Sequence, residues 1–289
     1  MIRPKILVTG ANGQLGKELQ EVCSAWPDYE FVFLPRQDLP LENFELVRAT
    51  FGIQQPQFCI NCAAYTAVDQ AESEKELAFQ INGESVGVLA AVCREHDCRF
   101  IHVSTDYVFD GKSSRPYQET DFTNPLNVYG ASKLEGENQA FQFNIDSVVI
   151  RSSWVYSPFG KNFVKTMMRL MRERDQVQVV NDQTGSPTYA ADLAAAIMDI
   201  ISFAAWRPGL YHFSNSGEIT WFDFALGIRQ ITGASCEIEP IASSRYPTTA
   251  MRPRYSVLDK TRIRETFGIA LRDWKESLLA CIQRIGRDH

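Results

Sequence analysis

Tyr129 and Lys133 stand four residues apart in Asn127-Val-Tyr-Gly-Ala-Ser-Lys133. On a helix that spacing brings both side chains to one face. An ammonium beside a phenol favours phenolate, so the pair is expected to lower the tyrosine pKa and let it exchange a proton near neutral pH. The lysine has a second use, as a donor to a ribose. Alone, a Y-x-x-x-K pair arises by chance in many helices; here it gains weight from what precedes it. The run His102-Val-Ser-Thr-Asp-Tyr-Val-Phe-Asp110 reads as a strand with hydroxyls at its carboxyl end, the edge at which open α/β sheets bind ligands. Thr105 is placed to donate to a substrate carbonyl and to stabilise a developing alkoxide. Taken singly, Thr105 serves equally as a turn cap and Asp106 as an Asx-turn residue. Together the residues suit carbonyl reduction: a reduced nicotinamide gives hydride, Tyr129 the proton, Thr105 orientation, and Lys133 tunes Tyr129.

A dinucleotide needs its own cradle. Thr9-Gly-Ala-Asn-Gly-Gln-Leu-Gly16 follows an apolar run and opens a helical pattern. Gly10 and Gly13 permit a tight turn close to a pyrophosphate, Gly16 lets the helix pack on the strand, and the helix N-terminus offers N–H groups to phosphate. The next strand, Phe31-Val-Phe-Leu-Pro-Arg-Gln-Asp-Leu39, has no acid at its tip. Arg36 follows it and suits a 2′-phosphate, which favours NADPH over NADH; a solvated surface arginine is the equal alternative. Asp38 is a candidate neighbour of the adenine.

These groups require a scaffold that brings several loop ends to one edge. Strands are expected at Lys5–Thr9, Phe31–Leu34, Gln57–Cys62, Arg99–Ser104, Ser147–Arg151 and Val177–Val180. Amphipathic stretches lie near Gln14–Ala25, Phe44–Phe51, Ser73–His96, Val128–Phe143 and Asn162–Arg174. Strands separated by helices pair in parallel, and near-continuous apolar strands are covered on both faces. The fold class is therefore α/β, a Rossmann-like doubly wound parallel sheet with a smaller C-terminal α/β substrate lobe. The expected division is residues 1–155 for the dinucleotide domain, with part of 156–240 returning to it, and 156–289 for an interleaved substrate lobe. In that lobe the pattern loosens, and helical periodicity remains near Trp221–Thr232 and Arg272–Ile285.

Of 289 residues, 45% are hydrophobic and the formal net charge is −6, which argues against a general nucleic-acid or anionic-membrane binder. A local basic pocket from Arg252 and Arg254 stays open for a phosphorylated ligand. The seven cysteines are odd in number and scattered, so reduced thiols in a cytoplasmic protein are expected. Cys59 and Cys62 alternate on a strand and read as core packing. No apolar run approaches the roughly 20 residues of a membrane span, and the first strand starts too early to leave room for a signal peptide.

The chain resembles the dTDP-4-dehydrorhamnose reductase family within the extended short-chain dehydrogenases. The resemblance runs through Thr-Gly-Ala-Asn-Gly-Gln-Leu-Gly (9–16), Asn-Cys-Ala-Ala-Tyr-Thr-Ala-Val-Asp-Gln-Ala-Glu (61–72), Ser-Thr-Asp-Tyr-Val-Phe-Asp-Gly (104–111) and Pro-Leu-Asn-Val-Tyr-Gly-Ala-Ser-Lys-Leu-Glu-Gly-Glu (125–137). It continues in Arg-Ser-Ser-Trp-Val-Tyr (151–156), Asn-Phe-Val-Lys-Thr-Met (162–167), Asn-Asp-Gln-Thr-Gly-Ser-Pro-Thr (181–188), Gly-Leu-Tyr-His-Phe (209–213), and Arg252-Pro253 with Ser256, Leu258 and Asp259. It implies reduction of a dTDP-linked 4-keto-deoxysugar with NADPH, or NADH. It implies Gly10, Asn12, Gly13, Gln14 and Leu15 at the pyrophosphate, Arg36, Asp38 and Leu39 at the adenosine, and Ala63, Ala64 and Tyr65 at the middle of the cofactor. Thr105, Tyr129 and Lys133 match catalytic positions. Thr105, Asp106, Tyr129 and Trp154 would line the sugar, and Arg252 would meet the diphosphate, with a core tryptophan and a solvated arginine as the plain alternatives. Some members hold magnesium between subunits. Here Glu18 is matched only by Asp192, thin support for a hard cation, so no metal is expected. A monomer or homodimer is expected. Two other roles fit the same superfamily: another nucleotide-sugar reductase or epimerase, and a non-catalytic NADP-binding regulatory subunit like that of methionine adenosyltransferase.

Overall fold

Six short runs, Lys5–Thr9 (β1), Glu30–Leu34 (β2), Phe58–Asn61 (β3), Arg99–Thr105 (β4), Val148–Ser152 (β5) and Gly209–Phe213 (β6), pair in parallel in the order β6-β5-β4-β3-β1-β2. This is the arrangement in the computed structural model, which describes residues 3–287. Consecutive residues Ile6, Leu7 and Val8 are all fully buried, which requires cover on both sides of the sheet. On one face Ile6, Val8, Ile60 and Ile150 pack with Leu15 and Leu19 of helix Gln14–Val22 and with Leu193 and Ile197 of helix Ala190–Ser202. On the other, Leu7, Cys59 and Phe100 meet Val47 and Phe51 of helix Phe44–Gln54 and Leu89 of helix Ser85–Glu95.

A second core gathers Tyr156, Met167, Ile228, Trp274 and Leu278, the last four from helices Phe163–Glu173, Trp221–Thr232 and Trp274–Arg287. Local signals explain their starts. Asn162 caps the first through Lys165 N, and Thr220 with Asp223 forms a reciprocal capping box at the second, each satisfying N–H groups that the helix leaves free.

The structure departs from the expected elements at four places. Val177–Val180 lies in a strand, Gln176–Val180, but it pairs with Glu237–Ile241 outside the main sheet. The sixth main strand is Gly209–Phe213, at the edge of the sheet beside β5. Helix Ala190–Ser202 is an element that the periodicity does not reveal. Eight of its thirteen residues are buried, and a helix apolar around most of its circumference lacks the stripe that marks an amphipathic one. The stretch expected as one helix over Ser73–His96 is broken into Lys75–Phe79, a π-helical turn Gln80–Glu84, and Ser85–Glu95. All seven cysteines are free; Cys59 is core, and Cys62, just beyond the end of β3, packs against the core and also lines a cavity.

Ile197 is fully buried between helix and sheet. Ile197→Ala is expected to destabilise the fold by about 2–5 kcal/mol through lost contacts and residual cavity, seen as a lower urea midpoint with an unchanged slope.

Candidate active site

The first strand and the glycine loop meet the end of β3 at contact distance. Gly10 has φ +64°, and a Cβ there would stand 2.6 Å from the Ala63 backbone nitrogen, so neither the conformation nor the space tolerates a side chain. The loop opens onto a cavity of about 200 Å³ lined by Gly10, Asn12, Gly13, Arg36, Leu39, Ala63 and Ala64, together with Leu41, Glu42, Cys62 and Ile81. A cradle of bare backbone at a helix N-terminus fits the diphosphate of a dinucleotide. Four other residues expected at the dinucleotide are not among those lining this cavity. Leu15 is part of the core. Gln14 spans to the second lobe, accepting from Asn162 Nδ2 at 2.8 Å and donating to Val155 O at 3.4 Å. Asp38 is exposed in a turn closed on Pro35 O, and the Tyr65 hydroxyl donates to Glu74; neither is among the residues lining this cavity. Arg36 does line it, with its guanidinium 2.9 Å from Glu42 and 68% exposed.

Tyr129 and Lys133 lie on helix Val128–Phe143, whose N-terminus is tied down from three directions. Asn127 Oδ1 caps Gly130 N at 2.7 Å, Asn127 Nδ2 donates to Met251 O at 2.7 Å, and Glu72 accepts from Val128 N at 2.8 Å. The π-helical turn presses on the same helix: Asn82 donates to Ser132 Oγ, and a Cβ on Gly136 would stand 2.1 Å from Asn82 O. Tyr107 packs edge-on against Tyr129, with centroids 5.7 Å apart.

Burial dominates the ionisation of both members of this pair. Burial pushes the Tyr129 phenol up to about 12; the adjacent Thr105 hydroxyl pulls it down, and the Asp106 carboxylate pushes it further up. Burial disfavours the charged form of Lys133 and brings it down to about 7, with Glu137 and Cys62 opposing. Its Nζ lies 3.1 Å from His102 Nε2 and donates to Val103 O at 2.6 Å. The phenol is thus held protonated, the form in which it donates.

Thr105 ends β4 and does what a lone threonine would: its Oγ accepts from Tyr107 N at 3.2 Å, capping a short 3₁₀ turn, while its one proton goes to Asp106 Oδ1 at 3.1 Å. Donation to a substrate carbonyl requires that proton to be redirected. Asp106 is buried with Oδ2 unpartnered. Burial raises its carboxyl to about 6, with Ser256 and Thr105 drawing it back. An acceptor left open in such a place suits a hydroxyl arriving on a ligand.

Beyond this edge lies a cavity of about 760 Å³, lined by Trp221, Phe163, Arg252 and Arg254 among others. Trp154 is half-buried, packs against the second core and stacks on Trp221 with centroids 3.6 Å apart. Its φ is +48°, a strained conformation for an indole-bearing residue. Glycine at 185 is needed beside it, since a Cβ there would stand 2.7 Å from the indole. Arg252 is not a free surface arginine: Asp69 clamps it at 2.7 Å, aiming it along the cavity wall. Sequence reasoning missed Trp221, Asp69, His102 and Asn61. It also missed the buried Arg151–Glu137 pair at 2.6 Å, which receives the Ser104 hydroxyl. Only His102 carried a signal, a polar residue inside an apolar strand.

Glu18 and Asp192 do not fit a divalent cation. Glu18 is buried and bonded to Arg284 at 2.7 Å. Asp192 accepts from Asn215, Ser277 and Arg272. An arginine already supplies the positive charge that a metal would bring.

The RmlD substrate binding domain model matches residues 4–287. The dTDP-4-dehydrorhamnose reductase of Aggregatibacter actinomycetemcomitans is 40% identical over 284 residues, 95% of this chain and 97% of its own. That of Burkholderia thailandensis is 42% identical, over 96% of this chain and 98% of its own. The crystal structure of dTDP-4-dehydrorhamnose reductase from Bacillus anthracis, in complex with NADP, superposes with TM-score 0.94 at 36% identity, covering 98% of this chain and all of that one. With a match of this length on both counts, the chain belongs to the RmlD family, that of the dTDP-4-dehydrorhamnose reductases.

Proposed function

We propose that the chain reduces the 4-keto group of dTDP-4-dehydro-6-deoxy-L-mannose (dTDP-4-dehydro-β-L-rhamnose) to give dTDP-L-rhamnose. NADPH is the proposed reductant, with NADH as an alternative. The observation that carries this reading is the end-to-end likeness to reductases of that name, in a chain whose Thr105, Asp106 and Tyr129 meet at the end of β4. Gly10, Asn12, Gly13, Leu39, Ala63 and Ala64 would hold the dinucleotide, and Arg36, released from Glu42, its 2′-phosphate. When bound, the reduced nicotinamide supplies hydride to the carbonyl carbon.

In this reading Tyr129 delivers its phenolic proton to the oxygen as negative charge develops there. Thr105 turns its hydroxyl from Asp106 to the same oxygen, and Asp106 then accepts from a sugar hydroxyl. Lys133 keeps an N–H for the ribose. Trp154, braced by Trp221, gives the deoxysugar methyl a flat apolar wall, while Arg252 and Arg254 draw the diphosphate to the large cavity. The dinucleotide domain is read as residues 1–155 with the returning helix Ala190–Ser202 and β6, and the rest as the substrate lobe. A cytoplasmic enzyme acting as a monomer or homodimer, without a bridging metal, completes the reading.

The test is cofactor oxidation with freshly made dTDP-4-keto-6-deoxy-L-mannose. Stoichiometric oxidation yielding dTDP-L-rhamnose is expected, with kcat lower by about 10²–10⁴-fold in Tyr129→Phe. Cofactor binding without turnover of this sugar would move the function to another keto-sugar or to a regulatory role.

Asp106 sets a pH dependence. Its carboxyl, raised to about 6, is charged above that value and neutral below it, so sugar binding is expected to weaken on acidification. KM should rise roughly tenfold from pH 7 to pH 5; in Asp106→Asn the acidic limb should disappear. EDTA is expected to leave both activity and native mass unchanged, because Arg284 neutralises Glu18.

A further inference from the structure

The tip of β2 carries no acid, which by itself favours NADPH. Folding brings an acid there from further along the chain. After Leu34 the backbone turns, with Asp38 N and Leu39 N both donating to Pro35 O at 3.0 Å, and Arg36 lies on that turn. The chain then enters the core at Leu39 and Leu41, 2% and 4% exposed. Glu42 follows directly, and Asn43 caps the next helix by accepting from Leu46 N at 3.1 Å. Glu42 is therefore held between a core anchor and a helix cap, and its carboxylate reaches back to Arg36 at 2.9 Å. Arg36 and Glu42 are the two charged residues among the described residues that line the cavity at the glycine loop. Their side chains are 68% and 31% exposed, and ion pairs this open contribute little to stability. One guanidinium nitrogen meets one carboxylate oxygen, so the arginine keeps donors and the carboxylate keeps an acceptor for a ligand. Burial pushes the Glu42 carboxyl up, but its own backbone N–H and the guanidinium prevail and hold it below its ordinary value.

The two nicotinamide dinucleotides differ at the adenosine 2′ position, a hydroxyl in one and a phosphate in the other, and so make opposite demands on this pair. A hydroxyl donates to a carboxylate and leaves the ion pair closed. A phosphate needs the guanidinium and is repelled by the carboxylate, so the ion pair must open. We propose that Glu42 is a specificity-determining residue for the cofactor: it accepts from the 2′-hydroxyl of NADH and competes with the 2′-phosphate of NADPH for Arg36. This rests on the reading that places the adenosine at this cavity. Glu42, fixed by Leu41 and Asn43, stays in place, while the more exposed Arg36 swings between carboxylate and phosphate. The preference for NADPH is accordingly weaker than an acid-free strand tip implies.

The test is the binding of NADH and of NADPH to the full chain, followed by nicotinamide fluorescence at neutral pH with no sugar present. In Glu42→Gln the Kd for NADPH is expected to fall and that for NADH to rise, so that their ratio shifts toward NADPH by about tenfold or more. Added salt should narrow the gap between wild type and variant for NADPH, because that gap is charge repulsion. Arg36→Ala is expected to weaken NADPH and spare NADH. Both variants should melt with the wild type, as substitutions this exposed rarely disturb a fold. A ratio unmoved in Glu42→Gln, while Arg36→Ala still weakens NADPH, overturns the proposal and leaves the adenosine where it is read to lie. If neither substitution moves either affinity, the proposal and the placement of the adenosine both fall. A wrong sugar assignment affects none of these outcomes.

Discussion

The site depends on the register of β1, β3 and β4. Thr9 pairs with Asn61, and Asn61 with His102, so that one rung of the ladder runs from the glycine loop to the helix bearing Tyr129 and Lys133. A slip of one residue in any of these strands would turn its side chain to the opposite face and break the line. That register is enforced elsewhere, by strands buried on both faces and by Gly10, which lets the loop reach the Ala63 backbone. Apolar packing thus determines the position of a polar chain that contributes little to stability by itself.

Around that rung, the carboxyl edge collects groups from elements far apart in sequence. Helix Val128–Phe143 is held at its start by Glu72, Asn127 and the Met251 carbonyl, which links Tyr129 to the segment carrying Arg252. Gln14 and Asn162 join the glycine loop to the second lobe. Of the two cavities described above, one is shaped by bare glycine-loop backbone and the other by Trp221, Arg252 and Arg254.

Several charges are placed by partners rather than by exposure. Arg252 is aimed by Asp69, Arg284 neutralises the buried Glu18, and Arg151 secures Glu137 beneath the site. Lone charges in such places are costly, and each is retained with a partner. Asp106 differs in having no arginine or lysine at ion-pair distance among the described residues, and its Oδ2 accepts no hydrogen bond. That unmet capacity lies beside Thr105 and Tyr129, where a ligand would arrive.

The sequence by itself determined the α/β class, the glycine loop and the capped helix Val128–Phe143, because these rest on short-range spacing, strand periodicity and caps within a few residues. It also identified Thr105, Tyr129 and Lys133 as a group, since one strand end and one helix start carry them. The tertiary structure alone decided their protonation. Sequence spacing suggested an ammonium lowering a phenol pKa, whereas burial, which spacing does not reveal, raises the Tyr129 phenol to about 12 and lowers Lys133 to about 7. Helix Ala190–Ser202 was illegible for a related reason, as burial on most sides erases the periodicity that marks an element. Trp221, Asp69, Asn61 and Arg284 act through partners up to 266 residues distant. Contacts of that range leave no spacing in a single sequence, and only the folded register brings them together.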